Sequence, residues 1–113
     1  MKYVLMIYGD EAAWAGLDDA AMKAVYDAHM AYAGEMEAAG VLRGGEELKP
    51  VATATTVRFE AGRAELLDGP FAETREQLGG FYLIEVDSLD EALAWARRMP
   101  GMDSGCVEVR PCN

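Results

Sequence analysis

The chain has 113 residues, 51% of them hydrophobic, and a formal net charge of −10. That length holds one domain, spanning 1–113, with enough apolar residues to bury a core without disulfides or metals. Binding of nucleic-acid backbone needs clustered Lys and Arg, and the 10 basic residues here are scattered among 20 acidic ones, which excludes nucleic acid as a partner.

Lys2 to Tyr8 reads as a strand whose two alternating sets, Tyr3-Leu5-Ile7 and Val4-Met6-Tyr8, are both apolar, so it is expected to be covered on both sides. This apolar run is too short for a signal-peptide core or a bilayer span, and a cytoplasmic protein without membrane partners is expected. Gly9 to Leu17 reads as a loop with a short turn carrying Trp14. Asp18 or Asp19 then caps a helix that runs to about Ala39 and is closed by Gly40. Its apolar stripe is Met22, Val25, His29, Tyr32 and Met36, which places the only histidine in the middle of the inward face.

Val41 to Gly45 reads as a short strand, and Leu48 to Ala52, broken by Pro50, as an edge segment. Thr55 to Phe59 and Ala64 to Leu67 form a hairpin around Ala61-Gly62. That register sets Arg58 opposite Glu65 and Glu60 opposite Arg63, and packs Val57, Phe59, Ala64 and Leu66 against an apolar surface. The ladder should stop near Asp68, because Pro70 lacks a donor and biases Gly69 toward extended backbone. Gly79-Gly80 offers room for a close approach, and Phe81 to Val86 is another apolar strand. Ser88-Leu89-Asp90-Glu91 matches a capping box, and the helix it starts presents Leu89, Ala92, Leu93 and Ala96 inward and stops by Pro100. Gly105 to Arg110 is the last strand. Two helices separated by strands suit a mostly antiparallel sheet with both helices on one face, the ferredoxin-like α+β plan.

The run from Asp68-Gly69-Pro70-Phe71 through Glu73-Thr74-Arg75-Glu76 to Gly79-Gly80 and Glu85 resembles the signature of the YCII-related family, in the branch named for its Asp-Gly-Pro-Phe motif. Tyr8-Gly9-Asp10-Glu11, Gly44-Gly45-Glu46 and Val107-Glu108-Val109-Arg110-Pro111 match in the same order. The resemblance implies a homodimer in which two sheets pack face to face as a dimeric α/β barrel. It also implies a histidine on the first helix paired with an aspartate from the sheet side, as an acid–base pair; one relative is a dehydrochlorinase. His29 matches the helix histidine. Other branches carry an Asp-Pro pair before the final strand, where this chain has Met99-Pro100, so the acid falls to Asp68.

Histidine alone exchanges protons near neutral pH with an unperturbed pKa of about 6.5. On an apolar face it either donates to a carbonyl and fills space or serves as a general base in a pocket. Asp68 either steers that imidazole or holds the Gly69-Pro70 corner. Glu73 and Arg75 either rim a pocket or form local salt bridges with Glu76, and Tyr8 could line the same rim. The chain has no Gly-rich phosphate loop, nucleophile elbow or metal-ligand spacing, and Cys106 and Cys112 match neither a zinc knuckle nor a Cys-x-x-Cys pair. Neither cofactor nor metal is expected. Two hypotheses follow: a cofactor-free lyase or isomerase using His29 and Asp68 on a small organic molecule, and a non-catalytic ligand-binding module associated with extracytoplasmic-function sigma factors. An open cavity at His29 favours the first; a closed core favours the second.

Overall fold

Strand β1 (Lys2–Gly9) is apolar at both alternating positions: Tyr3, Leu5 and Ile7 face the core, and Val4, Met6 and Tyr8 lie on the opposite face of the sheet. The computed structural model describes residues 1–113 and places this strand between β5 (Gln77–Glu85) and β6 (Cys106–Pro111). With β2 (Leu42–Glu47) the sheet has the order β2-β5-β1-β6, and every neighbouring pair is antiparallel. Helices α2 (Asp19–Ala38) and α3 (Leu89–Arg97) follow β1 and β5 and cover one face, which is the ferredoxin-like order of strands and helices. Between β2 and β5 the chain inserts a hairpin, β3 (Thr55–Glu60) and β4 (Arg63–Asp68), that pairs only with itself.

The core lies between that sheet face and the two helices. Leu5, Met36 and Ile84 are fully buried there, with Tyr3, Tyr32, Val86, Ala92 and Met99 around them. Full burial of side chains of this size is worth about 1.5–3 kcal/mol each. The opposite face carries Val4, Met6, Phe81 and Leu83, paired across β1 and β5 and only partly buried.

Local chemistry sets the helix ends. Asp18 accepts a hydrogen bond from the Ala21 N–H at 2.7 Å and starts α2. At the other end Val41 N–H donates to Met36 C=O and Gly40 N–H to Glu37 C=O, a Schellman closure with Gly40 at φ 73°. The Ser88 hydroxyl caps α3 by accepting from Glu91 N–H at 3.2 Å, while the Glu91 carboxylate accepts from Asp87 N–H, one residue earlier than in the standard capping box.

Several sequence expectations need correction. The stretch around Trp14 is a helix, α1 (Glu11–Ala15), because the Asp10 side chain accepts from Ala12 N–H and caps it. Leu48 to Ala52 is not an edge strand: Leu48 makes one bond to Gly79 C=O, after which Pro50 leads into a 3-10 turn over Val51–Thr53. Gly69 sits at φ 89°, a conformation open to glycine that escapes the extended bias imposed by the following proline. Leu89 is 50% exposed, so the inward face of α3 begins at Ala92. The hairpin has the expected register about a turn with Ala61 and Gly62 at positive φ, yet Arg58 and Glu65 form no ion pair. Nothing in the chain covers its apolar face, where Phe59 and Leu66 are each 74% exposed. The radius of gyration of 15.9 Å exceeds the roughly 13 Å of a compact domain of this length because the hairpin projects from the body. No helix is long and apolar enough to cross a membrane.

Candidate functional site

A cavity of about 510 Å³ opens between the N-terminal half of α2, α1 and the end of the sheet where β2 and β5 meet. The apolar stripe of α2 explains its position. Tyr32 and Met36 sit in the core, but one to three turns earlier the same face has no strand pressed against it, and Met22, Val25 and His29 become the cavity wall. Trp14 forms another wall. A Cβ placed on Gly9 or Gly79 would come within 2.5 or 2.6 Å of its ring, so the close approach expected at Gly79 is made by this indole.

His29 Nδ1 lies 2.9 Å from the Tyr82 hydroxyl. The two rings stack nearly parallel at 6.0 Å, and Tyr82 meets Tyr32 edge-on at 5.4 Å, so an aromatic column ties the imidazole to the core. Tyr32 is anchored in turn by donating to Trp95 C=O at 2.6 Å. His29 Nε2 has no partner in the chain and is not among the buried polar atoms, which leaves it facing the cavity. Of the alternatives open for this histidine, the bond to a backbone carbonyl is not made; a tyrosine hydroxyl holds the ring and the other nitrogen is available.

Burial lowers the His29 pKa from its usual value, and the charge of Glu47 opposes that shift. The imidazole is therefore neutral at neutral pH, the state in which a ring nitrogen can accept a proton. Burial also raises the Tyr82 pKa and pushes that of Tyr32 up to about 12, so both remain protonated hydroxyls. Tyr26 donates to Glu47 Oε1 at 2.7 Å, and this bond raises its own pKa.

The expected site residues separate. His29 lines the cavity; Asp68 does not. Asp68 ends β4, exposed on the projecting hairpin, and has no hydrogen bond to His29, because the insertion carries it away from the body. The carboxylate acting on the imidazole is Glu47 at the end of β2, whose register opposite Gly80 turns it to the helix-covered side of the sheet. Tyr8 belongs to the outer set of β1 with Val4 and Met6, away from the cavity. Glu73 and Arg75 lie on the exposed loop before β5 and form no ion pairs; the four in the chain are Lys23–Asp27, Arg43–Glu85, Arg98–Glu35 and Arg110–Glu108. That loop is linked to the cavity through Gln77, whose side chain donates to Thr74 C=O and accepts from Glu11 N–H. Sequence reasoning missed Tyr82, Glu47 and Tyr26. The signal available for Tyr82 was an isolated hydroxyl in the apolar run Phe81 to Ile84.

No group of three or more His, Cys, Asp and Glu side chains converges as a metal site. The arrangement can bind a small apolar molecule and exchange a proton with it at His29 Nε2.

The fold and cavity define a class: an α+β protein of ferredoxin-like plan with a single tyrosine-tethered histidine at the wall of an apolar cavity. The chain belongs to the YCII-related family, whose domain matches residues 1–112. It is 41% identical over 116 aligned positions, covering 98% of this chain and 91% of the relative, to an uncharacterized protein of Rhizobium meliloti (strain 1021).

Proposed function

We propose that the cavity is a cofactor-free proton-transfer site of lyase or isomerase type acting on a small organic molecule. His29 Nε2 is the proton-accepting group, Tyr82 orients it, and Glu47 stabilises the imidazolium once formed. The observation that carries this reading is the pairing of an Nδ1 held by Tyr82 at 2.9 Å with an unpartnered Nε2 on a cavity of about 510 Å³. A half-buried, neutral imidazole of this kind can abstract a proton from a carbon next to a carbonyl or from a phenol hydroxyl.

Within the family, the Asp68-Gly69-Pro70-Phe71 run supports placement in the Asp-Gly-Pro-Phe branch. A homodimer belongs to the same proposal, its second copy covering the hairpin and the outer sheet face as in a dimeric α/β barrel. Phe59, Leu66 and Phe71, each about three-quarters exposed in one copy, support it, since an isolated two-stranded hairpin is marginal in water. Asp68, Glu73 and Arg75, on or beside that hairpin, enter the reading only as groups offered to the second copy. The two free thiols suit a reducing, cytoplasmic compartment.

The test is exchange of carbon-bound hydrogen for deuterium, followed by NMR on a panel of small ketones and substituted hydroquinones. Wild type should accelerate exchange of a member that binds, and His29→Gln should lose the acceleration while keeping its circular dichroism and oligomeric state. Binding without accelerated exchange, in wild type and variant alike, would overturn the catalytic reading in favour of the non-catalytic module, for which an extracytoplasmic-function sigma factor is the partner to assay.

A further inference from the structure

The charge of the cavity wall is one-sided. Two carboxylates, those of Glu11 and Glu47, belong to the cavity wall, and no Lys or Arg lines it; Glu46, opposite Phe81, sends its side chain to the other sheet face. Neither Glu11 nor Glu47 takes part in any of the four ion pairs of the chain. Their hydrogen bonds leave capacity unused: Glu47 Oε1 accepts from Tyr26 and Glu11 Oε1 accepts from Val51 N–H at 2.9 Å. The rest of the wall is largely apolar and aromatic, with Trp14, Tyr26 and Tyr82 presenting ring surface.

We infer that the cavity takes an organic cation: a small apolar or aromatic body carrying a protonated amine, with the ammonium group directed to Glu47 and the body against Trp14. Glu47 is exposed at the rim, where a carboxylate without a paired Lys or Arg attracts an ammonium group, and aromatic faces attract it further. The same charge repels carboxylate and phosphate compounds, which find no guanidinium or ammonium in the wall to receive them. The net charge of −10 adds to the bias at long range. This inference rests on the cavity being the ligand site proposed above but not on proton transfer at His29.

The experiment compares phenethylamine, 2-phenylethanol and 3-phenylpropionate, which share one body and differ in charge, by calorimetry and saturation-transfer NMR on the full chain. The amine should bind about five- to tenfold tighter than the alcohol and the acid more weakly than either, with added NaCl weakening only the amine. In Glu47→Gln the amine should fall toward the alcohol. Tyr26→Phe, which removes the hydroxyl and leaves the carboxylate, should keep the preference, so loss through misfolding is told apart from loss of charge. Equal binding of amine and alcohol, tighter binding of the acid, a preference untouched in Glu47→Gln, or no amine binding at millimolar concentration would each overturn the inference. Amine selectivity retained in His29→Gln, with no deuterium exchange in wild type, would sink the catalytic reading and leave this one standing.

Discussion

The inward face of α2 passes through two environments. At its C-terminal end Met36 is fully buried and Tyr32 nearly so, locked against Tyr3, Leu5 and Ile84 of the sheet. Toward its N-terminal end Met22, Val25 and His29 continue the same stripe, but the facing wall is Trp14 and the backbone of glycines on β2 and β5. The helix and the pattern are common to both ends; the strand side chains opposite are not. Where they are large, the stripe makes core. Where glycine replaces them, it makes a cavity, and the single histidine lies at the boundary, tied by Tyr82 to the packed end and open to the other.

This contrast predicts unequal costs for equal truncations. Met36→Ala should lose about 2–5 kcal/mol in urea unfolding, because the buried site cannot collapse around the void, whereas Met22→Ala on the cavity wall should lose less than about 1 kcal/mol. Similar losses at both positions would erase the distinction. Filling the glycine side of the cavity tests it from the other direction. A Cβ at Gly79 would lie 2.6 Å from the Trp14 ring, so Gly79→Ala should displace the indole, shift its side-chain N–H signal in NMR and cost about 1–3 kcal/mol.

The smallest effect is in pH. Burial holds the His29 pKa below its ordinary value, so the unfolded chain binds that proton more readily than the folded one. The associated stability is fully present above about pH 6.5 and declines as pH falls through that value toward the folded-state pKa. Wild type should therefore lose more stability than His29→Gln between about pH 7 and 5, and the one imidazole signal in the NMR spectrum should titrate below about 6.5. A midpoint above that value would mean that Glu47 outweighs burial.

The contrast between the two ends of α2 also separates what could be read from the chain from what could not. The stripe, a cap at Asp18 or Asp19, Gly40 as closure, the hairpin register and the end of its ladder at Asp68 are all legible, because each depends on residues a few positions apart. The choice of carboxylate near His29 was not. Asp68 and Glu47 both follow strand patterns, and only the insertion of β3 and β4 as a separate ribbon sends one outward while the pairing of Glu47 with Gly80 turns the other inward. The 53-residue separation between His29 and Tyr82 likewise leaves no local trace.

By itself, then, the sequence determined the two longer helices, the strands of the sheet and hairpin, the single histidine on an apolar face and the acidic character of the chain, since these follow from short-range periodicity and composition. Only the tertiary structure decided that His29 borders a cavity, that Tyr82 holds its ring, that Glu47 rather than Asp68 is the carboxylate opposing the effect of its burial, and that the hairpin face stands uncovered. The physical reason is that register and insertion place side chains from distant segments together, and neither the spacing nor the type of those residues encodes the distance between them.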